Sequence, residues 1–394
     1  MQNSRFPLKL AKKSITLPLW AKIAIYVAAF VVIAVIAGFA AIGIKYTVIE
    51  AEANATEPII VDGRYYYNSL TWRDQQLYDS ILAAANEAEE RSRVIPYSYD
   101  MDTFERVVRC VKGDNPDLFY VRFSDLVLNH GRHKTYVTMV YRVTGDALDS
   151  MRAEYKKALD AGLAAADGLK SDFDRELAVH DWLVEKCSYV SGETDDIYNT
   201  AYGALVLEKA YCDGYAYAIK AMLDRMNVSS AIVYGSVNDA EHVWNLVRVG
   251  GKYYHLDAMW NDADLTYDVD MKFHGYFNVD DNRILLDHSY YYDDLLPEAA
   301  DENDYYHKLG LYAETTADCE EVFYNALLDA KVKERQYIEL FCKESIDNEQ
   351  LAAHFKNAVL RANETLGEEV FMTAFVVHAA AERANAATVQ IFYN

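Results

Sequence analysis

Residues 241–260 read EHVWNLVRVGGKYYHLDAMW, and this stretch decides the fold. Two strand-like runs, 242–249 and 252–259, flank Gly250-Gly251. A two-glycine loop between β-branched and aromatic runs predicts a tight hairpin. If Val249 faces Lys252, then Trp244 faces Asp257 and His242 faces Met259. His242 and Asp257 become diagonal neighbours on one face, about 7–8 Å apart along the backbone. Side chains close such a gap to a hydrogen bond. A slip of one residue would put the two on opposite faces.

Upstream, Tyr211-Cys212-Asp213-Gly214-Tyr215-Ala216 opens a predicted helix over 213–226. Tyr215, Ala218, Met222 and Met226 fall on one stripe at spacings of three and four. Gly214, in the first turn, is read as leaving space above the Cys212 thiol. A helix N-terminus offers free N–H groups and the positive end of the dipole, and both favour a thiolate. The N–H of Cys212 is itself a candidate oxyanion donor. Thiol, imidazole and carboxylate in this order are the parts of a cysteine-nucleophile triad. Singly, each has a plainer reading: an inert core thiol, a partnered strand histidine, a turn carboxylate. Their order and settings together favour the triad. His255 shares a predicted face with Asp257 and is the rival base. It reads otherwise as the partner of Asp257 or as an exposed histidine.

These motifs resemble the transglutaminase-like superfamily of papain-like cysteine enzymes, which includes bacterial surface proteins. The likeness rests on Ala201-Tyr202-Gly203-Ala204-Leu205-Val206 and Tyr211–Ala216, then His242-Val243-Trp244-Asn245 and Tyr253–Asp262. It is close over about 198–262 and extends loosely back to His180-Asp181-Trp182-Leu183-Val184. The resemblance implies Cys212 as nucleophile, His242 as base and Asp257 as its orienter. It also implies an α+β core in which a helix carrying the Cys packs on an antiparallel sheet carrying the His and Asp. The superfamily includes cross-linkers, peptidases, deamidases and inactive members, so the resemblance leaves hydrolysis and acyl transfer both open. Tyr202 is a candidate second oxyanion donor. Trp244 and Trp260 flank the triad as candidate cleft walls.

The chain of 394 residues predicts two or three domains. Its 61 acids against 38 Lys and Arg give a net charge of −23, which argues against a nucleic-acid partner. Peptide or protein substrates, including cell-envelope peptides, fit better. Ile23 to Ile44 is an unbroken uncharged, mostly apolar run, long enough to span a bilayer. Arg5, Lys9, Lys12, Lys13 and Lys22 precede it without an acid, which places the N-terminus in the cytoplasm and the rest outside. Without the six bases of residues 1–45, the remaining charge falls from −23 to −29. The rival reading is a signal peptide cleaved at Ala53-Asn54-Ala55. Both put the enzyme outside the cytoplasm.

Five cysteines leave one unpaired, as a free Cys212 requires, and Cys319 and Cys342 are a candidate pair. His180 and Cys187 lie near one face of a predicted helix, without enough further ligands for a metal. Asp262, Asp264, Asp268 and Asp270 lack the glycine and terminal glutamate of an EF-hand loop, so calcium is only a weak candidate and no cofactor is expected. The chain divides into a basic tail and anchor (1–45), a linker and N-terminal α/β region (46–150), a catalytic core (151–295) and a small C-terminal α/β domain (296–394). Predicted helices cover 72–90, 101–112, 146–166, 171–187, 319–332 and 347–363. Predicted strands cover 118–129, 134–143, 336–342, 370–378 and 387–393.

Overall fold

The computed structural model describes residues 18–55, 63–131, 134–262, 273–291, 296–300, 304–379 and 386–394. Helix α1 (Leu19–Ala55) is long and apolar enough to cross a membrane. Trp20, Phe30 and Phe39 are among its exposed apolar side chains. Helices α2 (Tyr65–Ser69), α3 (Trp72–Glu87) and α4 (Met101–Asp114) follow. Thr71 and Asp100 cap the last two by accepting from Asp74 and Thr103 N–H groups. The Asp114 carboxylate accepts from the N–H groups of Tyr66 and Tyr67, which fastens α2 to the end of α4.

A short hairpin pairs β1 (Val127–Gly131) with β2 (Lys134–Thr138). The strands predicted over 118–129 and 134–143 shrink to these, because 123–125 forms a 3₁₀ turn instead. Helices α5 (Asp146–Ala164) and α6 (Asp172–Lys186) lead to β3 (Ser188–Tyr189), α7 (Ala201–Val206) and β4 (Lys209–Ala210). Helix α8 (Cys212–Arg225) then packs against a sheet of β5 (Ser230–Val237), β6 (Ala240–Val249) and β7 (Lys252–Leu256). After α9 (Asp281–Ile284), β8 (His288–Tyr290) closes the sheet in the order β7-β6-β5-β8. The core thus has the α+β arrangement the motifs imply.

The hairpin register is the expected one, with Val249 opposite Lys252 and Asn245 opposite Leu256. Gly250 and Gly251 sit at φ +58° and +88°, the left-handed values a two-residue turn needs. The ladder stops at Leu256, however. Asp257 to Asn261 form a turn, so the predicted pairs Trp244–Asp257 and His242–Met259 do not form. Helix α8 also departs from a one-stripe amphipathic helix. Every residue from Gly214 to Leu223 is buried, so α8 is enclosed on all sides. Full burial of such large apolar chains is worth roughly 1.5–3 kcal/mol each relative to exposure.

The C-terminal part begins with α10 (Tyr305–Leu309) and β9 (Tyr312–Ala313). Helix α11 (Cys319–Lys333) crosses to β10 (Tyr337–Cys342), which runs parallel to β9. Helix α12 (Asn348–Leu366) precedes β11 (Phe371–Ala379) and β12 (Ala386–Tyr393). The sheet order is β11-β12-β10-β9. Cys319 and Cys342 are both free thiols that face each other across α11 and β10.

Candidate active site

Cys212 occupies the first position of α8, half-buried, with Tyr211 ahead of it in extended backbone. Gly214 explains how this helix end is seated. A Cβ there would lie 2.6 Å from the Ala210 Cβ and 2.6 Å from the Tyr198 carbonyl oxygen. The glycine therefore admits the backbone of 198–200 against the helix, rather than clearing space above the thiol. Asn245 on β6 donates to the Ala216 carbonyl at 2.9 Å, locking the sheet to the turn that follows the cysteine.

His242 projects from β6 and is buried, and its Nε2 is 2.5 Å from Asp257 Oδ2. The turn after β7 bends Asp257 back, and the N–H of Asp257 donates to Tyr276 O at 3.0 Å. Asp257 Oδ1 accepts from the N–H of Trp260 at 3.1 Å. Cys212 is an electrostatic neighbour of His242 and favours its charged form. Because Asp257 takes Nε2, the other ring nitrogen, Nδ1, is the one left for the thiol. Cys212, His242 and Asp257 thus converge.

The electrostatics favour an imidazolium. Burial opposes protonation of His242, but the Asp257 charge and hydrogen bond, with a smaller part from Cys212, lift it to about 9. Burial likewise opposes ionisation of Asp257, and His242 and then His288 hold it well below the usual carboxylate range. On the other flank, Lys112 from α4 reaches Asp213 at 3.0 Å. Burial disfavours its charge, and Asp213 more than offsets that, so Lys112 remains an ammonium close to Cys212.

The remaining sequence candidates lie elsewhere. Tyr202 donates its hydroxyl to Glu154 at 2.5 Å and packs on Phe119, so that hydroxyl is committed away from the thiol. Trp244 is fully buried behind His242, with rings 5.8 Å apart and nearly parallel, so it backs the site instead of walling a cleft. Trp260 is half-buried against Tyr276 and His288. His255 is neither exposed nor the partner of Asp257. Its Nδ1 accepts from Trp244 at 3.0 Å and its Nε2 is 2.9 Å from Asp281. Burial first of all, against the pull of Asp281, lowers its pKa. Neither nitrogen is left for the thiol.

Asp262 accepts from the Tyr215 hydroxyl at 2.5 Å, while Asp264, Asp268 and Asp270 lie outside the described residues. His180 binds residues other than Cys187 through both ring nitrogens. Its Nδ1 is 2.9 Å from Asp181, and Asp181 is also 2.9 Å from His274 Nε2. Glu339 on β10 holds His274 Nδ1 at 3.0 Å. His180, Asp181 and His274 have divalent-ion donor chemistry, as do His242, Asp257 and His288. In the first set the hydrogen bonds oppose a metal. Asn261 Oδ1 accepts from the Tyr276 N–H, which leaves the Asn261 amide to donate to His180 Nε2. His180 must then carry its proton on Nδ1, facing Asp181.

Two contributors were not foreseen from sequence: His288, which also reaches Asp257 Oδ2, at 3.1 Å, and Lys112. The run Asp287-His288-Ser289-Tyr290 carries no spacing that ties it to the triad motifs.

With this geometry in view, residues 161–258 match the family model of the transglutaminase-like superfamily, and they form a transglutaminase-like core. Solved structures similar to the chain include a TGase, at 13% identity and TM-score 0.26, over 37% of this chain and 45% of that one. A candidate cysteine protease from Cytophaga hutchinsonii matches at 12% identity and TM-score 0.24, over 34% of this chain and 61% of that one. A candidate protease from Parabacteroides distasonis matches at 11% identity and TM-score 0.22, over 34% of this chain and 35% of that one. No curated protein matches the chain.

Proposed function

We propose that the protein is an extracytoplasmic thiol enzyme, anchored by α1, that attacks amide carbonyls of peptides or proteins. The observation carrying this reading is the His242 imidazole held by Asp257 through Nε2, which leaves Nδ1 free in a ring whose electrostatic neighbour is Cys212. In the reaction, the Cys212 sulfur bonds to the carbonyl carbon and the C–N bond breaks. His242 gives its proton to the departing amine, leaving a thioester. Water or a second amine then attacks the thioester, His242 takes the proton back, and the thiolate leaves. The first acceptor gives hydrolysis and the second gives acyl transfer. The N–H of Cys212, at a helix start, is the proposed oxyanion donor. The basic residues ahead of α1 support a cytoplasmic N-terminus, with the thiol outside.

The test is the pH dependence of Cys212 alkylation in the detergent-solubilised chain, with Cys212→Ser and His242→Ala as controls. The reading expects fast labelling near pH 6, where a free thiol with pKa about 8.5 reacts slowly, and loss of that rate in both variants. An ordinary thiol profile, unchanged in His242→Ala, would replace it with a non-catalytic binding protein of the same fold.

A further inference from the structure

We propose that His288 is a positioning residue for the Asp257–His242 pair, holding the same Asp257 oxygen that binds His242 and moderating its pull on the imidazole. This rests on the triad reading above and adds a residue to it.

Both carboxylate oxygens of Asp257 are hydrogen-bonded. Oδ1 takes the Trp260 N–H, and Oδ2 takes both His242 Nε2 and His288 Nε2. The second histidine is itself fixed at its far end. His288 Nδ1 is 2.5 Å from Asp287 Oδ1, and Asp287 Oδ2 accepts from the Tyr276 hydroxyl at 2.7 Å. A continuous line of hydrogen bonds therefore runs Tyr276, Asp287, His288, Asp257, His242. Aromatic rings enclose it. Trp244 meets the His288 ring edge-on at 5.0 Å, and Tyr276 lies 5.4 Å away. His288 is nearly fully buried, so it has no rotamer freedom to let Asp257 swing.

The chemistry follows from charge. The titratable groups facing His288 are Asp257 after β7, His242 on β6, His255 on β7, the Tyr276 hydroxyl, and its own neighbour Asp287. Two carboxylates against one ring favour the imidazolium. Burial opposes this, and the hydrogen bonds to Asp257 and Asp287 outweigh it, raising the pKa of His288. A cation on Asp257 weakens the field that Asp257 exerts on His242. His288 therefore both aims the carboxylate and keeps His242 from becoming too weak an acid to release its proton to the leaving amine.

The experiment is the alkylation profile of Cys212 from pH 5 to 11 in the full chain, comparing wild type, His288→Gln and His288→Phe. The glutamine keeps a donor for Asp257 without the charge. The upper inflection, where His242 loses its proton, is expected to rise by about 1 unit in His288→Gln, with the rate below pH 8 retained within about threefold. His288→Phe, with no donor, is expected to lose about tenfold or more of the rate near pH 6. Wild-type profiles in both variants would overturn the positioning role, as would a downward shift of the upper inflection in His288→Gln. If His288→Phe does not fold, the inflection in His288→Gln decides alone. An ordinary thiol curve in the wild type would instead remove the triad reading, and this inference with it.

Discussion

Lys112 and Asp213 form an ion pair of 3.0 Å that joins the end of α4 to the first turn of the cysteine helix. Asp213 Oδ1 lies 3.8 Å from the Cys212 sulfur, so an unpaired carboxylate there would repel a thiolate. The N-terminal region supplies the cation that cancels this repulsion. Lys112→Met should slow Cys212 alkylation near pH 6 by about three- to tenfold. Lys112→Met combined with Asp213→Asn should recover most of the loss. Rates of iodoacetamide labelling in the two variants check this, and a double variant as slow as the single one would count against it.

Gly214 should tolerate no side chain. An added methyl meets the Ala210 Cβ and a backbone carbonyl, and the carbonyl cannot rotate away as a flexible chain could. Gly214→Ala is expected to lower stability by about 1–3 kcal/mol and to slow Cys212 labelling by displacing the helix end. Chemical denaturation, with labelling on the same sample, measures both.

The ring of Tyr202, not its hydroxyl, matters near the site. With the hydroxyl bound to Glu154, Tyr202→Phe should leave the alkylation profile unchanged and cost about 1 kcal/mol in stability. A large loss of reactivity would restore Tyr202 as an oxyanion donor.

The core and the C-terminal sheet are clamped by Asp181, His274 and Glu339. Burial opposes a charge on His274, but Glu339 and then Asp181 lift it to about 10. A raised histidine stabilises fully below its unfolded value of about 6.5, and that contribution is lost as pH climbs through 10. Wild-type stability should therefore decline between pH 6.5 and 10, and Glu339→Gln should flatten the decline. Glu339→Ala, which leaves Nδ1 of the buried ring without its carboxylate while Asp181 keeps Nε2, should cost about 3 kcal/mol near neutral pH. Urea midpoints across this range provide the measurement.

Much of the fold was legible because its signals are short-range. The glycine pair at 250–251 and the helical spacing of Tyr215, Ala218 and Met222 each act within a few residues. Misreadings arose where a distant contact overrode local pattern. The 252–259 run has strand character throughout, yet the N–H of Asp257 goes to Tyr276 and the ladder ends.

The turn that brings Asp257 to His242 was decided by the contact of the Asp257 N–H with Tyr276, not by strand alternation. By itself the sequence determined the β6–β7 register as far as Leu256, because side chains alternate at every residue and the turn admits one pairing. It also determined that Cys212 begins a helix. Only the tertiary structure decided which groups surround that trio. Lys112 meets Asp213 across 101 positions of chain, and His288 meets Asp257 across 31. No periodicity spans such separations. These contacts exist because α4 packs on β5, which lies against α8, and because β8 adds to the sheet next to β5, bringing its histidine against a carboxylate buried too deeply to stand without donors.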